Sequence, residues 1–153
     1  MSTTGQSNDS DLGMSPFAHL LHNLRMRHNI RQSELAERLG YEQSYISALE
    51  IGLKGPPGTD FVDRLIAALE LSAPEAEDLQ RAVQASQRRL TIDADVPQDI
   101  YWLLDDLRNK LPTLSPVQVR VIKDVLSLSP ADEPGWSEPT RRLRRRSKEE
   151  VQM

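Results

Sequence analysis

The 153-residue sequence contains no cysteine, which excludes disulfides, thiolate zinc sites and thiol nucleophiles. It also has no apolar run near the roughly 18 residues that a membrane-spanning helix needs, so no membrane association is expected. The first 16 residues, MSTTGQSNDSDLGMSP, have neither a basic start nor an apolar centre, and we expect no secretory signal there. These absences are compatible with a reducing cytoplasm.

Acidic and basic residues are unevenly distributed along the chain, whose net charge is −4. Residues 17–54 carry five basic and four acidic groups, whereas residues 60–78 carry six acidic groups against one arginine. Six basic groups and no acid then lie within residues 141–148, RRLRRRSK. Because salt screens charges beyond about 8–10 Å, local patches matter more than the total, and a nucleic-acid partner is not excluded.

Apolar residues recur at helical spacing and predict an all-α fold, with no convincing strand alternation or internal repeat. Five helices are predicted in the N-terminal part: about 16–28, 32–39 and 43–51, one capped by Thr59, and one opened by Ser72 and ending near Arg89. Two more helices, on either side of Pro112, form a predicted helical hairpin over 98–128.

Residues 31–52, RQSELAERLGYEQSYISALEIG, have the spacing of two short helices that meet at a sharp corner. Such a corner needs a small residue where the backbones approach and a glycine at the turn, which Ala36 and Gly40 supply. The apolar anchors of the two helices are Leu35, Leu39, Ile46 and Leu49. The pattern predicts a helix-turn-helix and leaves a polar surface at the start of its second helix.

These motifs resemble the lambda-repressor-like, or Xre/Cro-type, family of DNA-binding domains. QSELAERLG and QSYISALEIG are similar to the second and third helices of that family, and GPPGTDFVDRLIAALEL is similar to its fourth-helix region. The resemblance covers residues 17–71 and implies a five-helix domain whose third helix lies in the major groove of double-stranded DNA. The expected segments are a disordered arm (1–14), the DNA-binding domain (15–90), a linker (91–97), the hairpin (98–128) and a disordered tail (129–153).

The resemblance also implies roles for individual residues. The residues expected to read bases are Gln43, Ser44, Tyr45 and Ala48, and those expected to bind phosphates are Arg31, Gln32 and Lys54. Glutamine suits the paired donor and acceptor of adenine, and an alanine methyl suits thymine, whereas Tyr45 could instead reach the DNA backbone. Structural support is expected from Ala36 and Gly40 and from Arg25 paired with Glu50, a pair that would orient the third helix.

The C-terminal part of the chain allows alternatives. The apolar stripes of the hairpin are too extensive to remain solvated, so they either form a homodimer interface or pack on the fifth helix. The arginine run (Arg141, Arg142, Arg144, Arg145 and Arg146) either contacts the DNA backbone without sequence preference or folds on an acidic protein partner. Trp136 is either a stray aromatic residue or part of a docking peptide.

The sequence predicts no enzyme, cofactor or metal site. His19 and His22 have metal-ligand spacing without a third ligand, and the adjacent Asp105 and Asp106 point in different directions on a helix. We therefore expect a cytoplasmic, bacterial or phage-encoded transcriptional regulator, most simply a homodimeric repressor of an inverted repeat. The alternative is an antitoxin-like protein that autoregulates its operon and binds a protein partner through its C-terminal half.

Overall fold

The computed structural model describes residues 14–129, and this part of the chain forms seven α-helices and no strand. The predicted all-α fold is therefore confirmed. The chain divides into two compact units between Ile92 and Asp93, and each is described by itself. The predicted N-terminal arm up to residue 13, the arginine run and Trp136 lie outside the described residues.

Five helices form the N-terminal unit: α1 (Pro16–Arg27), α2 (Gln32–Leu39), α3 (Gln43–Glu50), α4 (Thr59–Ala68) and α5 (Ala73–Ala85). Helix α1 packs against α3 and α5, and α2 packs against α3 and α4. The largest side chains that these helices bury fully are Phe17, Leu21, Leu24, Leu35, Leu39, Ile46, Leu49, Phe61, Leu65 and Leu79. Because each contributes about 1.5–3 kcal/mol when removed from water, one shared core holds all five helices in place.

Helix α5 is shorter than predicted, and its C-cap residue, Ser86, also bonds to α1. Its hydroxyl donates to the carbonyl of Ala82 at 2.6 Å and accepts the backbone N–H of Phe17 at 2.9 Å. The first N–H groups of a helix have no partner within that helix. The Ser86 hydroxyl, which follows α5, therefore provides a hydrogen-bond acceptor for one of the first N–H groups of α1. Helix α5 ends at Ala85, before the predicted end near Arg89.

Helix α4 begins one residue earlier than its predicted cap implies. Gly58 occupies the N-cap position, and Thr59 is the first helical residue. The carbonyl of Gly58 accepts the N–H of Val62 at 3.4 Å, so the helical hydrogen bonds start from the glycine rather than from the threonine.

The C-terminal unit contains the two predicted helices, α6 (Gln98–Lys110) and α7 (Pro116–Leu126), joined by a single 3₁₀ turn at Leu111–Thr113. Neither helix contains a buried residue. The large apolar side chains left exposed on α6 and α7 are Ile100, Tyr101, Trp102, Leu103, Val117, Val119, Val121, Ile122, Val125 and Leu126. An apolar surface of this extent is typical of an interaction site rather than of a solvated face. Within residues 14–129, no helix combines the length and apolarity that crossing a bilayer requires.

Candidate nucleic-acid interface

The corner between α2 and α3 is built around Gly40. This residue has φ +72°, a left-handed conformation that glycine adopts without the steric cost that a side chain brings. The N–H of Tyr41 donates to the carbonyl of Ala36 at 2.9 Å and closes the turn, while Ala36 itself is buried between the helices. From α4, the Arg64 guanidinium donates to the carbonyl of Leu39 at 3.0 Å. The corner is thus fixed by local conformation and by a contact from a third helix.

Arg64 also restricts what the turn can accommodate. A Cβ added at Gly40 would lie 3.2 Å from Nη1 of Arg64, closer than ordinary van der Waals contact. The guanidinium lies 5.6 Å from the ring centre of Tyr41 and pairs with Asp60 at 3.2 Å. Sequence reasoning did not identify this residue, because nothing in the local pattern of α4 connects Arg64 with the carbonyl of Leu39, 25 positions earlier.

The first turn of α3 separates into a buried and an exposed face. Ile46 and Leu49 are in the core, whereas Gln43 and Ser44 are exposed, and Ala48 one turn further on is half-buried. The N-cap, Glu42, makes no side-chain hydrogen bond to the helix. The two polar residues predicted to read bases therefore stand together on a solvated surface at the N-terminal end of a rigidly packed helix.

Tyr45 lies in a different environment from Gln43 and Ser44. Its ring stacks on Tyr41 with centroids 5.2 Å apart and meets the ring of Phe61 edge-on at 5.8 Å. Burial, and secondarily the neighbouring Tyr41, raises the pKa of the Tyr45 hydroxyl above its ordinary value. The structure thus places this ring in the protein's own aromatic cluster, where it supports α3 from the side facing α4.

Lys54 lies in the loop that follows α3. Its ammonium is 5.2 Å from the ring centre of Tyr45, within the range of a cation–π interaction. Its backbone N–H donates to the carbonyl of Ala48 at 3.3 Å, which folds the loop back onto the helix. The side chain remains exposed, so the predicted phosphate ligand is held close to α3 without being buried.

The two other predicted phosphate ligands are at the beginning of α2. Arg31 occupies the N-cap, where its backbone N–H donates to the Glu34 carboxylate at 3.2 Å and its side chain is exposed. Gln32 is half-buried, and its Nε2 donates to Oε2 of Glu50 at 2.8 Å. The amide of Gln32 is therefore already held by a residue of α3 before any phosphate binds.

The structure brings Arg25 and Glu50 together as the sequence resemblance implies. Nε of Arg25 lies 2.6 Å from Oε1 of Glu50, and Nη2 lies 3.1 Å from Oε2, so the pair is bidentate. Nη1 of Arg25 donates to the carbonyl of Ile30 at 3.1 Å, which adds the loop before α2 to the same network. The side chains are only 11% and 5% exposed, so a charged pair joins α1, the loop and α3 inside the protein.

Glu50 accepts more hydrogen bonds than the predicted pair alone provides. Nδ1 of His22 lies 3.4 Å from Oε2, in addition to the bond from Gln32. Burial alone raises the pKa of the Glu50 carboxyl, but the bonds from Arg25 and Gln32, the charge of Arg25 and the bond from His22 outweigh it. The net pKa is below the ordinary value, and the carboxylate stays ionised as the hub of this network.

Comparison with family models identifies the domain. Residues 16–79 match the model of a helix-turn-helix domain. A search of curated proteins found no match. The matched range begins with the first residue of α1 and extends into α5, so it contains the corner at Gly40, the exposed start of α3 and the Arg25–Glu50 pair. Residues 16–79 therefore form a helix-turn-helix domain, consistent with the lambda-repressor-like family.

Proposed function

We propose that the protein is a sequence-specific transcriptional regulator that binds double-stranded DNA as a dimer and represses at an inverted repeat. The observation that carries the proposal is the pair of exposed polar side chains, Gln43 and Ser44, on the first turn of α3, a helix that packs against α1 and α2. In helix-turn-helix proteins, the beginning of the second helix of the motif reads base edges in the major groove. In a bacterial or phage setting the protein would act in the cytoplasm.

The proposed DNA-binding surface combines base reading with phosphate binding. Gln43 and Ser44 offer hydrogen bonds to base edges, and Ala48 offers a methyl group one turn along the same helix. Arg31 at the N-cap of α2 and Lys54 in the loop after α3 are exposed and provide positive charge for the DNA backbone. A domain with an excess of acidic groups can bind DNA through such a surface, because six of those acidic groups are concentrated in residues 60–78.

Selection of bound duplexes from a random DNA pool tests this proposal. A symmetric enriched motif, with half-site centres about 34 Å apart or a multiple of that distance, is the expected result for two copies on one face of the duplex. An enriched motif without symmetry would contradict the inverted-repeat part of the proposal. Retention of all duplexes alike would contradict sequence-specific binding.

Dimerisation through the C-terminal unit is expected to be sensitive to charge on α7. Val121 is 54% exposed, so Val121→Glu should leave the helix intact while placing a carboxylate in the apolar interface. Sedimentation velocity at micromolar concentration should show a dimer for the unmodified chain and a monomer for the variant. Arg120→Gln makes the net charge more negative by the same amount on the opposite face of α7 and should remain dimeric.

A monomeric unmodified chain would contradict the dimer proposal. A stoichiometric second protein, co-purified from the native host by way of this apolar surface, would then favour the antitoxin-like function. The proposed interface would also be wrong if Val121→Glu remained as dimeric as Arg120→Gln.

Removal of residues 141–153 is expected to weaken the salt dependence of DNA binding with little change in sequence preference. The arginine run lies outside the described residues, and its proposed contribution is electrostatic attraction to phosphates. Each lost phosphate contact lowers the slope of log K against log salt by about 0.9. Affinity measured over a series of salt concentrations gives this slope. A full-length variant with the five arginines replaced by glutamine should behave like the truncation, and an unchanged slope in both would exclude tail–phosphate contacts.

A further inference from the structure

The loop that carries Lys54 is tied to the rest of the domain at several points. Gly52 has φ +78°, a left-handed conformation that turns the chain sharply after α3. The N–H of Lys54 bonds to the carbonyl of Ala48, and its ammonium lies over the ring of Tyr45. Both contacts of Lys54 are local, since they join the loop to α3, the helix that immediately precedes it.

One tie comes from a distant part of the chain. Nη2 of Arg88 donates to the backbone carbonyl of Gly52, 36 positions earlier. Arg88 follows α5 by a short step from Ser86, whose hydroxyl is fixed between Phe17 and Ala82. The backbone is therefore held in place two residues before Arg88, by the hydrogen bonds of Ser86. Its positive charge also lies at the C-terminal end of α3, where the helix dipole favours a cation.

We propose that Arg88 is a positioning residue for DNA binding, holding the loop after α3 so that Lys54 is presented to a phosphate. The inference rests on the proposed function, because it assigns the loop to the DNA-binding surface. A mobile loop would lose conformational entropy on binding DNA, whereas a loop fixed beforehand does not. In this account Arg88 acts through the Gly52 carbonyl, and Lys54 makes the phosphate contact.

A double-mutant cycle in the full-length chain separates positioning from direct phosphate binding. Lys54→Ala should lower affinity for a selected duplex and reduce the salt slope by about 0.9, the value of one phosphate contact. Arg88→Ala should lower affinity several-fold in the unmodified background, but less than twofold when Lys54 is already alanine. If Arg88 and Lys54 bound phosphates independently, their affinity losses would multiply in the double variant, and each substitution would reduce the salt slope. That result would overturn the proposal.

Two further variants serve as controls. Arg88→Lys retains a cationic donor for the Gly52 carbonyl and should recover part of the lost affinity. Arg89→Ala removes the same charge from the next residue, which is also exposed, and should change affinity less than twofold. An equal loss in Arg88→Ala and Arg89→Ala would indicate a general effect of charge and contradict positioning.

A measurement without DNA tests the contact between Arg88 and the loop independently of the proposed function. Hydrogen exchange of the Lys54 amide, which is bonded to Ala48, should become several-fold faster in Arg88→Ala, while the amides buried inside α1 keep their rates. Unchanged exchange at Lys54 would exclude the positioning role. If exchange accelerates but no duplex is bound, the loop contact is established and the proposed function fails by itself.

Discussion

Replacing Gln43 with alanine is expected to relax the preference for one base pair in each half-site, at a cost of about 1–3 kcal/mol against the preferred base. The glutamine amide offers one donor and one acceptor, which match N7 and the N6 amino group of adenine. Because Gln43 is exposed and outside the core, the variant should retain the fold and stability of the domain. The measurement is the affinity for the selected duplex and its single-base-pair variants at one salt concentration.

Two comparisons make this prediction specific. Gln80→Ala removes the same exposed side chain from α5, outside the proposed DNA-binding surface, and should leave discrimination unchanged at every position. A duplex with 7-deazaadenine at the affected position lacks the N7 acceptor, so it should weaken the unmodified protein but not Gln43→Ala. Identical discrimination by the two proteins would exclude Gln43 as a base reader.

Replacing Arg25 with alanine is expected to destabilise the domain by about 3–5 kcal/mol, because it leaves the Glu50 carboxylate buried without its cation. The Arg25 guanidinium makes two bonds to that carboxylate and one to the carbonyl of Ile30. Since domains of this size are stable by only about 5–15 kcal/mol, part of the population should unfold at room temperature. Chemical denaturation followed by circular dichroism gives the free energy of unfolding.

Two variants control for the loss of a charge and of a long side chain. Arg27→Ala removes an exposed arginine from the last turn of α1 and should cost far less. In Arg25→Ala combined with Glu50→Gln, the uncompensated charge is gone, and part of the stability should return. A loss in Arg25→Ala no greater than in Arg27→Ala would show that the pair contributes no more than exposed charges do.

The same network gives the domain a component of stability that depends on pH. The pKa of Glu50 in the folded protein is lower than its ordinary value, so the folded state favours the ionised form more than the unfolded state does. This stabilisation is complete above the ordinary pKa of about 4.5 and is lost as the pH falls through the lower, folded value. The stability difference between the unmodified protein and Glu50→Gln should therefore shrink on acidification below that range, and a constant difference would contradict the assignment.

The order of helices was predictable from the sequence because the signals that define it are local. Apolar residues at helical spacing set each inward face, and Gly40 provides the backbone conformation that the corner requires. Serines before prolines or acidic residues mark the beginning of several helices, as at Ser15 and Ser72. Each of these features is contained in a short window of sequence, so it does not depend on how the rest of the chain folds.

The side-chain contacts that join different helices and loops of the domain were harder to predict, because they link residues far apart in the sequence. Ser86 reaches Phe17 across 69 positions, and Arg88 reaches Gly52 across 36. Only the Arg25–Glu50 pair was anticipated, and that came from family resemblance, whereas the participation of Gln32 and His22 was not. Hydrogen bonds between distant polar groups leave no periodic signal in the sequence.

The packing of the Tyr45 ring could not be predicted from its position alone, and its contact with bases or with the DNA backbone stays a prediction. Its place in the first turn of α3 is shared with Gln43 and Ser44, but the ring packs on Tyr41 and Phe61. The direction of an aromatic side chain depends on which apolar neighbours other helices provide, and Phe61 comes from α4. A similar argument applies to α6 and α7, whose periodicity predicts helices without indicating what covers their apolar faces.

The central claim is that the exposed start of α3 enters the major groove, and proximity between that turn and individual bases tests it most directly. Nuclear Overhauser effects between the domain and the selected duplex report which protons come within about 5 Å. The account predicts contacts from the side chains of Gln43 and Ser44 to major-groove protons such as adenine H8 or the thymine methyl group. Contacts to bases from another surface of the domain, with none from these two residues, would contradict it.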